Sequence, residues 1–192
     1  MITTRLCTLL GIDFPIISAP MTGTATAELA AAVSKTGGFG MIGALLNPDP
    51  TWLKDQIQAV KDKTDLPFGL GSINSASGLE KSLEAALDAK VTAVGCSFAD
   101  PTNFIAQAKN AGVKSFAQVQ TLSDAKKAVA AGADVIVAQG SEAGGHTSYM
   151  GTLSFVRAVV KIAGDIPVVA SGGIADGPGL AAALMLGAEG VW

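Results

Sequence analysis

Residues 138–147, AQGSEAGGHT, gather more chemistry than any other stretch of this 192-residue chain. Three glycines (Gly140, Gly144, Gly145), the acid Glu142 and the chain's one histidine, His146, share a short loop. Glycine lets a main chain turn sharply and come close to a ligand. A histidine beside it changes charge near neutral pH, so it can take a proton from a carbon acid as a general base. The alternative reading of His146 is a turn residue with no chemistry. Glu142 is expected to orient the loop through main-chain N–H groups rather than to react. A second small-residue segment, Ser171-Gly172-Gly173-Ile174-Ala175-Asp176-Gly177, precedes a helical pattern. N–H groups exposed by glycines at a helix start favour a phosphate or another anion. Without a ligand, Gly172-Gly173 is a tight strand-to-helix turn. No GxGxxG fingerprint opens a helix, which disfavours a Rossmann dinucleotide site.

These loops need elements to position them. Eight apolar, strand-like runs cover 15–19, 39–42, 67–70, 91–96, 115–119, 133–137, 166–170 and 188–192. Seven helical patterns separate them. The first has Leu29, Ala32 and Val33 on one face and ends at Gly37-Gly38. The others cover 50–63 (after an Asn47-Pro48-Asp49-Pro50 turn), 77–89, 101–111, 123–131, 153–163 and 178–186. Ser123 is the expected N-cap of its helix and Gly132 the expected stop.

Such alternation favours parallel strands joined by right-handed crossovers. Eight units point to a closed (β/α)8 barrel, a TIM barrel, in one domain spanning 1–192. An open doubly wound sheet stays as the alternative, because the pattern does not fix strand order. The last run stops at Trp192 with no eighth helix, and the chain is shorter than the ~200 residues at the small end for this barrel. The expectation is a barrel truncated within its eighth strand, with its C-terminal part missing.

In a barrel, the functional face lies at the C-terminal ends of the strands. That places Pro20-Met21-Thr22, Gly71-Ser72, Ser97, Gln118, Gln120, the 138–147 loop and the Ser171–Gly177 segment at one end. They are small and polar, with no acid cluster for a metal. Met21 is either core or a thioether placed against a flat ring. Tyr149 lines the pocket or sits on the surface.

Composition narrows the classes. Forty-nine per cent hydrophobic residues and 15% charged ones argue against disorder. A net charge of -3 gives no electrostatic reason for nucleic acid or an anionic membrane as partner. Cys7 and Cys96 have no metal spacing and read as free thiols in a reducing compartment. No run reaches the ~20 apolar residues of a membrane span, and the N-terminal apolar run is too short for a signal peptide. The expectation is a soluble, cytoplasmic protein.

PIISAPM (15–21), AQGSEAGGHT (138–147), VVASGGIADG (168–177) and LGAEGVW (186–192) closely resemble the nitronate monooxygenases, formerly 2-nitropropane dioxygenases. FMN-dependent enoyl-acyl-carrier-protein reductases and NADH:quinone reductases are similar in the same segments. The resemblance implies an FMN-binding (β/α)8 barrel with no metal. It implies that Ala19, Pro20, Met21 and Thr22 pass along the flavin ring and that Gln118 approaches its edge. Gly140, Gly145, Gly172 and Gly173 would hold the ribityl phosphate, with Ala138, Gln139, Gly144 and Ser171 among the cofactor contacts. Gly71 stands where many bacterial members carry an asparagine that touches the flavin. His146 matches the family base for neutral nitroalkanes. The implied reaction consumes a small alkyl nitronate and O2 and yields a carbonyl compound and nitrite. By the same resemblance, a Met-Gly-Thr segment that completes the phosphate site would follow Trp192.

Overall fold

Short runs of Val, Ile, Ala and Gly too apolar to face water on either side must be covered on both, and a parallel sheet wrapped by helices does that. The computed structural model describes residues 2–44, 49–73 and 79–192. The helices are α1 (Arg5–Leu10), α2 (Ala27–Lys35), α3 (Pro50–Lys61), α4 (Leu79–Asp88), α5 (Thr102–Ala111), α6 (Leu122–Ala131), α7 (Thr152–Ala163) and α8 (Gly177–Met185). The strands are β1 (Gly40–Gly43), β2 (Phe68–Ile73), β3 (Ala93–Ser97), β4 (Lys114–Val119), β5 (Val135–Gln139), β6 (Val168–Ser171) and β7 (Gly190–Val191). All pairings are parallel and follow chain order, β1 to β7.

The first apolar run closes the ring. Ile16 bridges to Val191 of β7 and Ile17 to Phe39, the residue before β1, both in parallel. Ile17 N–H donates to the Val191 carbonyl at 2.9 Å, and Phe39 N–H donates to that of Ile16 at 2.9 Å. Bonds on both flanks exclude the open sheet and make the barrel. The run is too short to form a regular strand, since Met21 N–H already turns back to the Ala19 carbonyl at 2.8 Å.

Three apolar layers hold this frame. Inside the ring stand Leu6, Leu10, Ile17, Phe39, Met41, Phe116, Val135, Val137 and Val169. Between sheet and helices, one cluster serves α2 to α5 and another α5 to α8. Fully burying a Phe or Leu side chain is worth about 1.5–3 kcal/mol, so these layers carry the fold.

Helix α1 is absent from the sequence reading. Six residues without a capping side chain give no helical period to detect. Tertiary contacts hold it: Leu6 and Leu10 enter the barrel floor, and Arg5 Nε donates to Glu189 Oε1 at 2.7 Å. The cap of α6 also differs from expectation. Thr121, not Ser123, is extended and accepts the Asp124 N–H at 3.1 Å. Gly132 does close that helix, in the left-handed conformation at φ +76°. Asn47, Pro48 and the start of the helix expected from Ser77 lie outside the described residues.

Candidate functional site

Parallel strands deliver their C-terminal ends to one rim, and the loop after β5 is built there in two parts. Its first part is fastened down. Gly140 N–H donates to the Ser171 carbonyl at 2.8 Å, tying this loop to the end of β6. Ser141 N–H donates to the Met150 carbonyl at 2.8 Å. A Cβ on Gly140 would lie 2.2 Å from Thr152 Oγ1, and one on Gly172 2.3 Å from the same atom. Glycine is required at both because Thr152 occupies that space.

Glu142 completes the fastening. Its carboxylate accepts the Thr152 N–H (2.8 Å to Oε2) and the Thr152 hydroxyl (3.0 Å), capping the start of α7. These are charge-assisted bonds. The Thr152 N–H, more than any other group, holds the Glu142 carboxyl below the usual carboxylate range. Orientation of the loop through main-chain N–H is what the acid does.

The second part stands open. Positions Gly144 and Gly145 have no atom within 4 Å of where a Cβ would be, and Gly145 takes φ +78°. Gln139, buried at the end of β5, donates from Nε2 to the Gly144 carbonyl at 3.3 Å. Gln120, just past β4, donates from Nε2 to Gln139 Oε1 at 2.7 Å and to the His146 carbonyl at 2.6 Å. The exposed His146 ring meets Phe98 edge-on, at 5.7 Å and 70°. Phe98 itself has φ +64°, a conformation rare for a bulky residue.

The remaining expected residues fall around the same rim, though not all in contact. Ser171, Gly172 and Gly173 meet the β5 loop, with Gly173 at φ +69° beside Glu142. Among the described residues, the N–H groups of Gly172 and Gly173 have no acceptor. Gln118 accepts from Ser97 Oγ at 2.7 Å. Ala19, Pro20 and Thr22 are half-buried and Met21 is 45% exposed. Gly71 lies beneath Pro20, whose Cγ would be 2.2 Å from its Cβ. That close approach gives Gly71 a packing reason. The Ala138 methyl belongs to the helix-facing core, so only its main chain is near the rim. Tyr149 is fully exposed, which settles it as a surface residue. Cys7 and Cys96 are both buried.

A cavity of about 360 Å³ opens at Phe98, whose ring meets His146, and is lined also by Pro101, Gln118, Gln120, Asp124 and Lys127, among others. Lys127 lies 3.6 Å from Asp100 and 3.9 Å from Asp124. Sequence reasoning missed Phe98, Thr152 and Lys127. Two glycines demanding one small neighbour hinted at Thr152 only in retrospect. Nothing local to Phe98 announces its left-handed backbone.

Among the described residues, no helix is long and apolar enough to cross a membrane. The nitronate monooxygenase family model matches residues 3–77 and 71–192. A relative from Rhodococcus jostii, (3aS,4S,5R,7aS)-5-hydroxy-7a-methyl-1-oxo-octahydro-1H-indene-4-carboxyl-CoA dehydrogenase, is 36% identical over 98% of this chain and 53% of its own length. A nitronate monooxygenase from Paraburkholderia phytofirmans is 35% identical over 94% of this chain and 62% of its own. The solved structure of FabK from Thermotoga maritima superposes with a TM-score of 0.96 at 39% identity, covering all of this chain and 61% of that one. The chain thus spans about half to two thirds of the length of the relatives it matches. With both matched segments of the family model present and the barrel they describe closed, this chain belongs to the nitronate monooxygenase family.

Proposed function

We propose that this chain is the FMN-binding barrel of a cytoplasmic oxidoreductase acting on small alkyl nitronates and their parent nitroalkanes with O2, giving a carbonyl compound and nitrite. The observation that carries this reading is the open half of the β5 loop. It sets His146 at the rim beside glycines with free space, while at the same end Gly172 and Gly173 have N–H groups without an acceptor among the described residues.

The residues present fit a flavin phosphate. Gly172 (φ +128°) and Gly173 (φ +69°) have N–H groups without an acceptor among the described residues, and the start of α8 follows them, a pairing of exposed N–H groups and helix start that favours an anion. On this reading Gly145, Gly172 and Gly173 hold the phosphate, with Gly144, Ser171, Gln139 and the main chain of Ala138 around it, while Gly140, expected in that set, has its N–H taken by the Ser171 carbonyl and shapes the turn instead. Ala19 to Thr22 and Gln118 border the ring, and Met21 gives it a polarisable neighbour. FMN, when bound, supplies the electron-accepting chemistry.

The chain's own task is proton transfer. His146 takes the proton from the carbon bearing the nitro group, and the electron pair of that C–H bond becomes the C=N bond of the nitronate. A preformed nitronate needs no such step. Flavin absorbance retained after FMN is added and excess removed, together with nitrite release from propyl nitronate, is the expected result. A protein that stays colourless and makes no nitrite would overturn the reading.

A second reading is an NAD(P)H-dependent flavin reductase of an enoyl thioester or quinone. The carboxyl-CoA dehydrogenase and FabK among the similar proteins favour it. Rapid NAD(P)H oxidation with no nitrite from a nitronate would select it over the first.

A further inference from the structure

The open half of the β5 loop raises the question of what fixes His146. Among the described residues, the N–H groups of Gly144, Gly145 and His146 find no acceptor. The carbonyls at its two ends do find donors. Gly144 O accepts from Gln139 Nε2 at 3.3 Å and His146 O accepts from Gln120 Nε2 at 2.6 Å. Between them Gly145 bends through φ +78°.

The two glutamines are not independent. Gln120 Nε2 also donates to Gln139 Oε1 at 2.7 Å, so both hydrogens of one amide are used. Turning the Gln120 amide over would aim its oxygen at two acceptors, Gln139 Oε1 and His146 O. Turning Gln139 over would aim its nitrogen at the Gln120 donor and its oxygen at Gly144 O. Only one arrangement of the pair is consistent with its surroundings. Gln139 is 5% exposed, so an unsatisfied amide there would be costly.

We propose that Gln120 is a positioning residue: acting with Gln139, it holds the main chain of His146 so that the imidazole stays against Phe98 at the cavity rim. The inference rests on the reading of His146 as the base. The hold uses neutral amides alone. Gln120 lines the cavity, but on this account it acts by holding His146 rather than through that lining position.

The test compares Gln120→Leu and Gln120→Glu with the unsubstituted full-length chain. Leucine removes both bonds, whereas glutamate keeps the volume and loses the donor. Backbone 15N order parameters are the readout that does not need activity. Both variants should lower them across 144–147 from the rigid range of ~0.85 to below ~0.6, with β4 and β5 unchanged. With neutral nitroalkane, kcat/KM should fall about tenfold, while a preformed nitronate loses less than about twofold. Wild-type order parameters at 144–147 in Gln120→Leu would overturn the proposal. So would wild-type behaviour of Gln120→Glu, which is what a packing role predicts, or equal losses on both substrates. Nitrite formation by the unsubstituted chain separately tests the functional reading, and the order parameters decide for or against Gln120 in either case.

Discussion

From Gly140 to Ala143 the β5 loop is fastened on several sides, whereas from Gly144 to His146 it is held by two carbonyl oxygens and one ring contact. Both halves are rich in glycine, for opposite reasons. Gly140 has no room for a side chain because Thr152 fills the space. Gly144 has room to spare. The first is a packing requirement and the second leaves space for a ligand, a difference invisible in the one-letter code.

The comparison can be broken most forcefully at Gly140. Gly140→Ala drives a Cβ against the Thr152 main chain, 2.4 Å from Cα and 2.5 Å from N. A loss of about 3 kcal/mol in denaturant unfolding is expected. His146→Asn should do the reverse, leaving the unfolding midpoint unchanged. It should lower kcat/KM for a neutral nitroalkane by about 100-fold and for a preformed nitronate far less. Equal losses on both substrates would remove the base role.

Gly144→Ala should weaken FMN binding about tenfold in a flavin titration and shift stability by no more than about 0.5 kcal/mol. A stability loss rivalling that of Gly140→Ala would erase the distinction between the halves. The smallest effect concerns Glu142. Its folded pKa is lowered, so the Thr152 tether is complete above the ordinary glutamate range and is lost as pH falls through the lowered value. Proteolysis of the 140–151 loop should therefore rise in acid. In Glu142→Gln it should be higher at neutral pH and nearly independent of acid.

The barrel was legible because its units repeat: each apolar run but the last is followed by a helical period, and several of these end at a glycine such as Gly112 or Gly132. The rim glycines and His146 were legible because composition changes abruptly after 133–137. Contacts that depend on partners distant in sequence were not. Gln120 was readable as a strand-end residue, but its bond to the His146 carbonyl spans 26 residues and leaves no pattern. Helix α1 forms because the barrel floor receives Leu6 and Leu10, which a six-residue window cannot express. Thr121 outcompeted Ser123 as a cap because the turn after β4 is already extended at Thr121.

The seam at Ile16 and Ile17 has a consequence for time rather than for shape. The Ile16–Val191 side of the ring is sealed by partners from far apart in the chain, and nearby the Thr4 hydroxyl bonds to the Glu189 carbonyl across 185 residues. Bringing such ends together costs entropy that grows with the loop they enclose and is recovered only once they meet. The two helix-backed clusters, each drawn from neighbouring βα units, face no such delay. The ring therefore cannot shut before Val191 is in place, whatever the order in which the other strands assemble.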